Sequence, residues 1–225
     1  MTTRTDLTTR ADRRTARLAA VLFLVTWVTS VGALPLYGGS SYDPATRLAG
    51  RDSVLTASLL EVVLAVAVVG TSLALYPLLR AHGRGAALGY VALRGLAASV
   101  ILVGVVAVLP AVARPATTAA PGLSVDVVDG LRLVHDWTFL VGPGLINPVN
   151  ATVLAVLLWR RRLVPRFIPL LGLVGSVLVL GQNLAVMFGL TGTIAILVVP
   201  LFAWEISLAA YLLLRGIRPA QPTPR

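Results

Sequence analysis

Six apolar stretches, separated by short polar turns, set the limits on what this chain can become. They run over 17–38, 55–79, 86–110, 133–159, 167–188 and 193–214. Each holds roughly 20 or more mostly apolar residues, the length needed to cross a hydrocarbon core of ~30 Å at 1.5 Å per residue. Lipid offers no water to open backbone, and no alternating strand pattern is present, so the spans are expected to be helices. The fold class expected is therefore all-α: a polytopic transmembrane bundle of six spans.

Arginines mark the ends of these stretches. All 19 basic residues are Arg, against nine acidic ones. With the N-terminus inside, Arg4, Arg10, Arg13, Arg14, Arg17, Arg80, Arg84, Arg160, Arg161, Arg162, Arg166, Arg215, Arg218 and Arg225 are cytoplasmic. Arg47, Arg51, Arg114 and Arg132 fall outside, and Arg94 lies within a span. This bias predicts an N-in, C-in topology. The net charge of +10 is thus a membrane feature and not a nucleic-acid footprint, and it points to anionic headgroups as partners. The first apolar run exceeds the ~7–15 residues of a signal-peptide core, so it reads as a retained span. Residues 1–15 and 217–225 read as cytoplasmic tails, the first of them disordered, around a membrane domain over 16–216. The stretch 111–132 reads as an outer loop with room for a short surface helix at SVDVVDG.

Composition removes several chemistries. Without cysteine there is no disulfide, thiolate metal site or cysteine nucleophile, and without lysine there is no Schiff base. No zinc-protease, serine-hydrolase or phosphate-loop motif appears. No cofactor and no catalytic residue is expected, and an intramembrane enzyme is the least favoured reading.

Charge inside a bilayer is costly, at least ~2.5–3.5 kcal/mol at mid-helix on insertion scales, so the polar residues within spans carry the functional question. Arg94, Glu205 and Asn150 each lie ten residues from a cytoplasmic arginine (Arg84, Arg215 and Arg160). That is about 15 Å, or mid-bilayer. Gly70, Ser176 and Thr26 fall at a similar depth. Arg94 and Glu205 are expected to pair inside the bundle, with Asn150 and Asn147 completing the hydrogen bonds. Such a pair serves either to dock helices or to bind a solute, and both readings stand at this point. Nearer the outer face lie Glu61, His135, Asp136, Gln182 and Asn183. Glu61 and Asp136 there are open to protons from outside, and His135 is of a type that titrates near neutrality. The plainer reading is that outer helix ends are wet and tolerate charge.

Between the two groups runs HDWTFLVGPGLINPVN, residues 135–150. Pro143 and Pro148 each remove a backbone donor, and Gly142 and Gly144 admit a neighbouring helix. This predicts a helix break in the fourth span, with Asp136, Leu140, Pro143, Asn147 and Asn150 along one face. Broken helices with a polar side line many transporter sites. A static packing kink is the alternative. The spacings Gly85-x-x-x-Gly89 and Gly172-x-x-x-Ser176 are candidates for close helix contact.

LLEVVLAVAVVGTSLALYPLLR, ALGYVALRGLAASVILVG, the stretch from LVHDWTFLVGPG through LVPRFIPLLGLVG, and WEISLAAYLLLRG together resemble a family of bacterial integral membrane proteins catalogued only as a domain of unknown function. The resemblance covers about 16–216, and HDWTFL-x-GPG is its most specific part. It implies a helical membrane fold in a bacterial inner membrane and transfers no activity, substrate or site residue. Two functions remain: a transporter or small-ligand or ion-binding membrane protein, and a non-catalytic scaffold or partner protein whose buried charges are structural. The sequence specifies neither the solute nor the oligomeric state.

Overall fold

The computed structural model describes residues 4–38, 48–112 and 123–216, with no strand among them. Helix α1 spans Arg4–Ala33, so the chain is already helical within the stretch expected as a disordered tail. The C-terminal tail, 217–225, lies outside the described residues. A 3-10 turn, Leu34–Tyr37, follows α1 and ends at Gly38, whose φ of 103° suits a residue without a Cβ.

Helix α2 runs Arg51–Val112, 62 residues with non-helical backbone at Gly83. A straight helix of that length would reach about 93 Å, three times a bilayer core. It folds back instead. Nε of Arg94 donates to the carbonyl of Val68, 26 positions earlier, at 3.3 Å. In a straight helix those residues would be about 39 Å apart. The second and third apolar stretches are thus the two arms of a helical hairpin turning at Gly83.

Helix α3, Val125–Phe139, passes through a π-helical stretch, Leu140–Ile146, into α4, Asn147–Arg160. The SVDVVDG segment is therefore the start of a helical run that continues to Arg160, and not a separate helix. Helix α5 spans Phe167–Met187, and a 3-10 turn, Ala195–Val198, leads into α6, Val199–Leu214. Five helical segments are long and apolar enough to cross a membrane, the α2 hairpin counting as one.

The helices close into a ring. α1 packs on both α2 and α6, α2 on α3 and α4, and α5 on α4 and α6. The outer surface is apolar: Val66 is 67% exposed and Val177 71% exposed. Meanwhile Glu61, Arg94, His135, Asp136, Asn150 and Gln182 are buried. A water-soluble fold distributes these residue types the other way, and only a lipid solvent removes the cost of such a surface.

Lipid also removes any hydrophobic drive between helices, so contact depends on close packing of small residues. Ala16, Ala19 and Ala20 give α1 a small buried face. A Cβ added at Gly172 would lie 2.8 Å from the Trp204 ring, and one at Gly175 would strike the backbone of Leu201. The Gly172-x-x-x-Ser176 spacing thus sits at the α5–α6 contact. Gly85 and Gly89 have no neighbour within 4 Å of an added Cβ, so that spacing makes no close contact. One large apolar cluster, including Leu75, Leu79, Tyr90, Leu154, Leu158, Trp204 and Leu208, fills the half of the bundle toward the Gly83 turn.

A central cavity and an outer charge network

The ring of helices borders a partly open cavity of about 210 Å3. Arg94 from the second arm of α2, Asn147 from α4, Glu205 from α6 and Asn183 from α5 line it, as do Thr26 and Ser30 of α1. Arg94 is 4% exposed. Its Nε is held by the Val68 carbonyl, and its Nη1 donates to Oδ1 of Asn147 at 3.2 Å. Its Nη2 is buried without a hydrogen-bond partner. The rings of Phe23 and Tyr90 stand 5.6 and 5.9 Å from the guanidinium carbon. Such contacts stabilise a desolvated cation by ~0.5–2 kcal/mol each.

Glu205 lines the same cavity. Arg94, expected to pair with Glu205, bonds the carbonyl oxygen of Asn147 instead, and both charges stand on the one cavity wall. Asn147 owes its position to the π stretch: its backbone N–H bonds the carbonyl of Gly142, five residues back. The break expected at Gly142, Pro143, Gly144 and Pro148 is thus a widened turn in a continuous helix. Pro143, which has no N–H to give, sits inside it. Gly144 matters by what it lacks, since a Cβ there would lie 3.0 Å from Cγ of Asn183.

The wide turn also slips the helical wheel. Pro143, Gly144 and Asn147 face the cavity. Asn150 does not line it: it is 1% exposed, with Oδ1 lacking a hydrogen-bond partner. Ser176, placed at the same depth by counting, bonds the Gly172 carbonyl of its own helix at 2.6 Å. Thr26 does the same with Phe23 at 2.7 Å. Small hydroxyls in helices commonly satisfy themselves this way.

Toward the other end lies a second polar group. Glu61, 2% exposed, accepts from the Tyr37 hydroxyl at 2.8 Å. Nε2 of His135 lies 3.1 and 3.0 Å from its two oxygens. The neighbouring Asp136 reaches Nδ1 of His135 at 3.5 Å and Nη1 of Arg132 at 3.6 Å. These side chains are buried inside the bundle, where the sequence suggested wet helix ends. Gln182 is buried, its Oε1 without a hydrogen-bond partner, and lines neither site. Among the described residues no three His, Cys, Asp or Glu side chains are grouped to hold a metal ion.

Sequence reasoning missed Tyr37 and Arg132 here. The 3-10 turn after α1 swings Tyr37 inward, to 8% exposure. Arg132 looked like an outer-loop charge, although its i, i+4 spacing from Asp136 was a usable signal. Phe139 links the two sites, lining both the central cavity and the outer pocket.

No curated protein and no solved structure matches the chain. A family model does match, over residues 18–216, nearly the whole length and the whole of both polar sites. The chain belongs to the family described as "Domain of unknown function (DUF4386)".

Proposed function

We propose that the chain is a six-span protein of a bacterial inner membrane, with both ends in the cytoplasm, that binds a small solute in its central cavity as a transporter or membrane receptor. The observation that carries this reading is Arg94. It is a buried cation with an unspent N–H, in a cavity shared with a carboxylate and two amides. Purely structural charges are normally paired to exhaustion, because each unspent donor in a low-dielectric interior costs free energy. The α2 hairpin supports six crossings, and the arginine bias supports the orientation.

A scaffold reading has its own support. Arg94 ties Val68 and Asn147 together, and so joins the two arms of α2 to α4. Native mass spectrometry of protein released from mild detergent separates the two. A small molecule that travels with the wild type and is lost from Arg94→Gln supports binding. A bare wild type and an identically bare, folded variant support the scaffold.

A further inference from the structure

We infer that the solute is a zwitterion of amino-acid size with a short apolar body, its carboxylate received by Arg94 and its ammonium by Glu205. This rests on the cavity reading above and specifies its ligand class.

The cavity carries two opposite charges that do not neutralise each other. Arg94 bonds the carbonyl oxygen of Asn147, which lines the same cavity as Glu205. Each of these cavity-lining charges keeps hydrogen-bonding capacity. Arg94 retains Nη2. Glu205 offers up to about four lone-pair sites. A guanidinium is matched by a carboxylate, and a carboxylate by an ammonium.

Net charge argues the same way. Among the described residues, Arg94 and Glu205 are the only charged residues lining the cavity, and they sum to zero. A simple anion or cation would bring an uncompensated charge into the bilayer interior, whereas a zwitterion brings none. The remaining walls suit an alkyl group. Trp27 and Phe202 meet edge to face at 5.0 Å, with Leu64 and Ile101 also on the lining. The volume of about 210 Å3 falls below the ~300–1,000 Å3 of pockets for drug-sized ligands.

The outer network makes no such offer. Both oxygens of Glu61 and both of Asp136 already have partners. Its pocket of about 20 Å3 holds little more than one water.

The test uses leucine and two analogues of the same skeleton: 4-methylpentanoate, which lacks the ammonium, and 3-methylbutylamine, which lacks the carboxylate. Tritiated leucine is bound to the full chain in detergent, and the analogues compete. Saturable leucine binding is expected, with each analogue at least ~10-fold weaker. Arg94→Gln is expected to erase the preference over the amine, and Glu205→Gln the preference over the acid. If either variant fails to fold, the wild-type panel decides alone. No saturable leucine binding, or 4-methylpentanoate competing as well as leucine, overturns the zwitterion. In the latter case the cavity still binds a solute. If none of the three probes binds and native mass spectrometry shows bare protein, the cavity reading falls as well.

Discussion

His135 places Nε2 within 3.1 Å of both oxygens of Glu61, across 74 residues of sequence, at a site where both side chains are almost fully buried. Removing the imidazole leaves a buried carboxylate held by Tyr37 alone. His135→Ala is therefore expected to destabilise the protein by about 3–5 kcal/mol. Glu61→Gln keeps an acceptor for Tyr37 and is expected to cost about 1–2 kcal/mol. Denaturant unfolding in micelles measures both. Equal, negligible losses would mean that the contact contributes no stability.

The hydrogen bond from Arg94 to Asn147 should couple α2 to α4. Asn147→Leu leaves Arg94 short of one charged hydrogen bond, with an expected loss of ~1.5–3 kcal/mol. In a double-mutant cycle with Arg94→Gln, the two losses should be non-additive by at least ~1 kcal/mol. Simple additivity would argue against the bridge.

Two glycines of α5 should behave oppositely. Gly175→Ala pushes a methyl against the backbone of Leu201 and is expected to cost about 1–3 kcal/mol. Gly181→Ala meets nothing within 4 Å and should be neutral or stabilising by up to ~1 kcal/mol. Thermal unfolding of the two variants side by side reads the difference.

Topology is testable because the chain has no cysteine of its own. Ala81→Cys, at the α2 hairpin turn, should label only from the cytoplasmic face with an impermeant thiol reagent. Ala49→Cys should label only from the opposite face. Labelling of both from one side would contradict six crossings.

Much of the architecture follows from regular features of the sequence. Arginines at segment ends, and a fixed rise of 1.5 Å per residue, set Arg94 and Glu205 at one depth by simple counting. The structure brings both to one cavity, with Asn147 bonded to Arg94. Counting fails where the helix is irregular. The π stretch shifts every face after Leu140, so Asn147 meets Arg94 while Asn150 does not line the cavity. Depth also says nothing about which helices touch. The Glu61–His135 contact depends on α2 packing against α3, which no local pattern encodes. Tyr37 needed the turn after α1 to be known before its hydroxyl could be aimed at Glu61.

The central claim is that this bundle holds a polar cavity that solutes enter from water, and single cysteines test it most directly. Ser30 lines the cavity, and Val177 is 71% exposed on the apolar outer surface. Only a thiolate reacts, and a thiol in lipid stays protonated. In membrane vesicles, Ser30→Cys should react with a small hydrophilic methanethiosulfonate at least ~10-fold faster than Val177→Cys. A Ser30→Cys variant as inert as Val177→Cys would mean that no water-filled site exists there, and would contradict the account.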